Sequence, residues 1–131
     1  MTTQSINTQL KKIEACRQSG HTMEGLLMNY HLNLALVHFI LASKVQNFPT
    51  ERRKAKEILK ELKRELVSNA ALKSVFSKKN AKPVMVWFDA MEDYFKQLKV
   101  KRPSNTRELF TAATKITALL NLSIHKLHPA K

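Results

Sequence analysis

A chain of 131 residues with 23 Lys and Arg against 10 Asp and Glu carries a formal charge of +13. Such a charge repels itself and attracts polyanions: nucleic acid first, then acidic proteins and anionic membrane surfaces. Its 44% apolar content argues against a basic disordered tail, two glycines and four prolines argue against an all-β fold, and the single Cys16 excludes an internal disulfide or a thiolate zinc site.

One domain, residues 1–131, is the expectation at this length. Residues 1–12 lack the apolar core of a signal peptide, and the longest apolar stretch, 34–42, is short of the roughly 20 residues of a membrane span. Together these point to a cytoplasmic protein with no membrane partner.

The first predicted helix covers residues 5–17, with Ile6, Leu10 and Ile13 at helical spacing and Gly20 as its stop. The second, 22–45, is the centre of the protein. Its polar residues fall in two narrow stripes: Glu24, His31 and His38 on one line, Asn29 and Asn33 roughly opposite. A helix that is apolar between two such stripes packs between neighbours. Phe48-Pro49-Thr50 makes a break, with Thr50 as N-cap of a third helix, 51–67, that buries Ala55, Ile58, Leu59, Leu62 and Leu66.

A short element around Leu72, Val75 and Phe76 follows, then a loop over 77–82. Pro83 opens the fourth helix, where Val84, Trp87, Phe88, Met91, Tyr94, Phe95 and Leu98 form the cleanest apolar stripe of the chain. Pro103 stops it. Ser104 or Asn105 caps the fifth helix, Asn105 with Glu108 three residues on resembling a capping box, and the helix presents Leu109, Ala113, Ile116, Leu120, Ile124 and Leu127 before Pro129 ends it. The expected fold is all-α, an up-and-down bundle of four to five helices.

The candidate site is electrostatic. On a helical wheel, Arg53, Lys56, Lys60, Lys63 and Arg64 fall on one flank of the third helix, with Glu57, Glu61 and Glu65 on the other. A rail of this kind can follow a phosphate backbone, each contact adding affinity by counterion release. It can equally be a solvated face held by pairs such as Arg53–Glu57. Residues 73–82 hold four lysines, among them Lys78, Lys79 and Lys82, and no acid; residues 96–107 hold Lys96, Lys99, Lys101, Arg102 and Arg107, again with no acid.

The remaining constellations read as structural. Glu24, His31 and His38 are seven residues apart, so successive members stand roughly 10 Å apart along the axis, too far to share one metal ion. Asp89, Glu92 and Asp93 form a solvated face with Lys96 in reach. Trp87, Phe88, Tyr94 and Phe95 follow core spacing rather than that of a base-stacking platform. No glycine-rich phosphate loop or serine nucleophile elbow is present, and Cys16 reads as a packed thiol. No catalytic residue, metal ligand or cofactor is assigned.

The stretch Ile13-Glu14-Ala15-Cys16-Arg17-Gln18-Ser19-Gly20-His21-Thr22-Met23-Glu24-Gly25, running on through Tyr30 and His31, resembles the first helical hairpin of HEPN-type bundles. The resemblance covers about residues 5–45. It implies an all-α bundle of a kind often found in toxin–antitoxin or defence systems and sometimes acting as a metal-independent ribonuclease. Those ribonucleases resemble one another in an Arg followed, after four to six residues, by a His on a late helix. Here Arg102 and Arg107 are followed by no such His, His125 and His128 have no Arg at that distance before them, and Arg17 and His21 lie in the wrong part of the fold. The resemblance therefore implies a non-catalytic relative.

Two functions follow as expectations. One is a non-enzymatic basic bundle that binds RNA or DNA through its phosphates, using Arg53, Lys56, Lys60, Lys63 and Arg64, flanked by Lys78, Lys79, Lys82, Lys101 and Arg102. The other is a protein-interaction or homodimerisation module docking an acidic partner, in a toxin–antitoxin or mobile-element setting, with Met85 and Val86 as an apolar contact. An enzyme would have to gather His31, His38 or Cys16 with residues of other helices.

Overall fold

The computed structural model describes residues 3–45, 48 and 54–127. Among them are six α-helices and no strand: α1 (Thr3–Gln18), α2 (Thr22–Lys44), α3 (Ala55–Ser68), α4 (Ala70–Val75), α5 (Lys78–Leu98) and α6 (Thr106–Leu127). The all-α expectation holds. The count exceeds four to five because the short element after α3 is a helix in its own right. Asn69 separates the two: extended backbone there (φ −97°, ψ 103°) ends α3, and its side chain accepts from the Leu72 amide at 2.9 Å to start α4.

Gly20 closes α1. It takes φ +82°, a conformation glycine adopts without steric cost, and His21 N–H reaches back to the Cys16 carbonyl at 2.9 Å. The chain thus reverses within three residues, and α2 lies antiparallel on α1. By length and composition α2 as a whole is apolar enough to cross a membrane, although no uninterrupted run within it is long; half of that stretch is buried against the other helices here.

The most extensive packing in the fold is α2 on α6. Gly25 makes the closest approach: a Cβ there would stand 2.5 Å from the Phe110 ring and 3.0 Å from Cys16 Cβ. Further along, Asn29 pairs with Thr117, so α2 and α6 run in the same direction. On α5, Trp87 Nε1 donates to the Leu109 carbonyl at 3.1 Å, and the Tyr94 and Thr106 hydroxyls are 3.0 Å apart, so α5 runs antiparallel to α6. Asn69 Nδ2 donates to the Lys44 carbonyl, which places the C-terminal ends of α2 and α3 together.

The predicted apolar stripes supply the core. Leu26, Leu36, Val37, Ile40 and Leu41 of α2 are buried with Ile58, Leu62 and Leu66 of α3, Val84, Trp87, Phe88, Met91 and Tyr94 of α5, and Ala113, Ile116 and Leu120 of α6. Between α2 and α5 the spacing is filled by rings: Tyr30 lies 4.9 Å from Phe95, 5.8 Å from Phe88 and 6.1 Å from Trp87 by centroid.

Three boundary expectations need correction. Helix α3 starts at Ala55, because Lys54 is extended and its carbonyl accepts the first helical bonds from Glu57 and Ile58; the expected cap at Thr50 lies outside the described residues, as does Pro129. The expected loop over 77–82 is helical from Lys78 onward. Ser77 caps α5 by accepting from the Asn80 amide, so the helix begins one turn before Pro83, which lacks the N–H that would otherwise bond the Lys79 carbonyl. Finally, the Asn105–Glu108 capping box is not formed: Asn105 Oδ1 is buried without a hydrogen-bond partner, and α6 starts on the Asn105 backbone carbonyl, which accepts from Leu109.

Candidate nucleic-acid interface

Apolar burial of Ile58, Leu62 and Leu66 turns the opposite side of α3 to solvent, and Lys56, Lys60, Lys63 and Arg64 are all exposed there. Arg64 pairs with Glu61 on its own helix. Lys63 reaches across to Asp89 of α5 at 3.8 Å. Lys56 and Lys60 stand in no ion pair among the described residues. Arg53, the first residue of the expected rail, lies outside the described residues.

The flanking cations divide between the two ends of α5. Lys78, Lys79 and Lys82 are exposed on its first turns, and Lys101 and Arg102 are exposed just beyond its last turn. At 1.5 Å per residue, about 30 Å of helix separates Lys79 from Lys99. The basic segments therefore do not merge into one patch along α5. Between Lys82 and Lys96 the helix carries Asp89, Glu92 and Asp93 and no base. Of these, Asp89 meets Lys63, and Glu92 meets Lys96 at 3.8 Å.

At the α6 end the surface is concave. An open cleft of about 820 Å³ is lined by Thr22 at the start of α2 and by Pro103, Ser104, Thr106, Arg107, Thr111 and Lys115, among others. Arg107 and Lys115, eight residues apart, are both exposed and share this face with Thr111 between them. Lys115 and Thr22 were not among the expected site residues. The signal in sequence is weak, since a lone Lys between Thr114 and Ile116 says nothing of the α2 N-terminus lying beside it.

The other candidates fall into structural places. Asn29 and Asn33 face α6, buried, in a polar network: Asn29 Nδ2 donates to Thr117 Oγ1 at 2.8 Å, Thr117 Oγ1 donates to Asn33 Oδ1 at 2.5 Å, and Asn33 Nδ2 donates to the Ala113 carbonyl at 3.2 Å. Glu24 and His31 are exposed, and His38 lies half-buried with its ring 5.3 Å from that of Phe48. Cys16 is half-buried with its Sγ 3.8 Å from Met28 Sδ. Among the described residues, no three His, Cys, Asp or Glu side chains gather as a metal site. Arg17 spans from α1 to α6, donating to Thr114 Oγ1 at 2.6 Å with its guanidinium 4.3 Å from the Phe110 ring centroid.

Comparison with protein-family models, with curated proteins and with solved structures finds no match for this chain. The reading of the surface therefore rests on its own charge and geometry.

Proposed function

We propose that this protein is a non-enzymatic, basic helical bundle that binds nucleic acid through its phosphates. The observation that carries the reading is the exposure of Lys56, Lys60, Lys78, Lys79, Lys82, Lys101 and Arg102, none in an ion pair among the described residues. Cations left without carboxylates on rigid helical elements are free to exchange their counterions for phosphates, which gives backbone binding without sequence readout. Binding of mixed-sequence RNA and duplex DNA, followed by fluorescence polarisation across a salt series, tests it. Micromolar affinity with steep salt dependence supports the reading; no binding at low salt removes it.

One observation favours docking of an acidic protein instead. Val86 and Val67, 60% and 71% exposed, flank the Lys63–Asp89 contact in sequence at one turn on each helix and place apolar surface beside the rail. Met85, expected beside Val86, is half-buried. A partner that binds through this face would lose affinity on the charge-neutral Val86→Ser, whereas phosphate binding would change little. In either case the N-terminal hairpin is the part of the chain on which a non-catalytic HEPN-type relationship would rest.

A further inference from the structure

The charge on this molecule is bipolar along α5. One end gathers Lys73, Lys78, Lys79 and Lys82, with no acid anywhere in residues 66–88. The other end gathers Lys99, Lys101, Arg102, Arg107 and Lys115, and Glu108 is the lone acid in residues 94–131.

Along α5 itself, the stretch between these ends is electrostatically spent. Over the roughly 20 Å of α5 from Lys82 to Lys96 the charged residues are Asp89, Glu92 and Asp93. Lys63 and Lys96 are drawn onto two of them. A phosphate backbone laid along α5 would meet attraction at each end and a neutral-to-negative band between them. The ends, about 30 Å apart, are separated by about three Debye lengths at 0.1 M salt, so each attracts phosphates independently of the other.

From this separation we infer that the protein has two nucleic-acid surfaces, one at each end of α5, and that one molecule joins two nucleic-acid segments. The inference rests on the phosphate-binding reading above and goes beyond it in stoichiometry and consequence. The first turns of α5, with Lys78, Lys79 and Lys82, hold one segment. The α5–α6 connection and the cleft beside it, with Lys101, Arg102 and Arg107, hold the second. One surface lies on the first turns of α5 and the other just beyond its last turn and on the start of α6, so the length of α5 sets the spacing between the two segments.

The test uses the intact chain and short mixed-sequence duplexes of about 10 base pairs, roughly 34 Å long, as DNA and as RNA. An immobilised duplex is incubated with protein and a second, fluorescent duplex, and sedimentation gives the duplexes bound per protein chain. Wild type should capture the second duplex and bind two per chain. The triple variants Lys78→Glu/Lys79→Glu/Lys82→Glu and Lys101→Glu/Arg102→Glu/Arg107→Glu should each bind one, with second-duplex capture reduced at least about tenfold. All six positions are exposed, and circular dichroism confirms that each variant keeps its helices. Capture that survives one triple and vanishes together with all binding in the other would reveal a single site, and would overturn the inference. Binding of one duplex per chain with no capture overturns it too, while leaving the phosphate-binding reading standing. Wild type that binds no duplex at any salt overturns both.

Discussion

The Lys63 ammonium stands 3.8 Å from the Asp89 carboxylate, and this pair ties the basic flank of α3 to the acidic centre of α5. Both side chains are more than half exposed, so the pair contributes at most about 1 kcal/mol to stability. Its larger effect is on the rail. A lysine already facing a carboxylate has less charge to offer a phosphate than Lys60, which stands in no ion pair among the described residues. Lys60→Gln should therefore weaken nucleic-acid binding more than Lys63→Gln, and Asp89→Asn should strengthen it. Equal losses from the two lysine variants in fluorescence polarisation would show that the pair does not shape the surface.

Gly25 is a packing constraint between α2 and α6. Alanine is the better helix former by about 1 kcal/mol, but its Cβ would lie 2.5 Å from the Phe110 ring. That ring is 2% exposed and has the Arg17 guanidinium over it, so it cannot simply swing aside. Gly25→Ala is expected to destabilise the fold by about 1–3 kcal/mol in urea denaturation. Phe110→Leu should recover part of that loss in the double variant. A neutral or stabilising Gly25→Ala would show that the two helices have room to separate.

The buried Asn29, Asn33 and Thr117 network gives a non-additive prediction. Thr117→Val removes the closer partner of both Asn29 Nδ2 and Asn33 Oδ1, leaving them only a 3.4 Å contact with each other, and should cost about 1–3 kcal/mol. Replacing all three by apolar residues, Asn29→Leu, Asn33→Leu and Thr117→Val, should cost less than the sum of the single losses, because no polar atom is then left stranded. Additive losses in a set of denaturation curves would mean that the three side chains act separately.

Tyr30 supplies the pH dependence. Burial among the α5 rings, and secondarily the Glu92 charge, raise its pKa above the ordinary tyrosine value near 10. The folded state thus favours the protonated phenol more than the unfolded chain does. The corresponding stability is fully present below pH about 10 and is lost as pH rises through the folded value. The stability difference between wild type and Tyr30→Phe should be constant up to that pH and shift against wild type above it. A difference that stays flat to higher pH would contradict this.

Much of the helical framework was legible because each apolar stripe follows the helical period. The α5 stripe from Val84 to Leu98 and the stop at Gly20 both appear in the structure as read. The start of α5 was misread for a local reason: Pro83 looks like a first-turn proline, but the Ser77 cap one turn earlier outweighs it. The sequence sets the basic segments on either side of the fourth helix, but it carries no sign of how either stands to the α3 rail. Thr117 was missed in the same way. Asn29 and Asn33 mark a polar stripe on α2, but their partner is more than 80 residues away, and only the pairing of α2 with α6 reveals it.

The central claim is that exposed cations bind phosphates, and the salt dependence of duplex binding tests it most directly. Each phosphate contact contributes about 0.9 to the slope of log affinity against log salt on duplex DNA. The account predicts a steep slope for wild type that falls by up to about 3 when Lys78, Lys79 and Lys82 are all changed to Gln, with helicity unchanged. A shallow wild-type slope, or one that the triple variant leaves as it was, would contradict it.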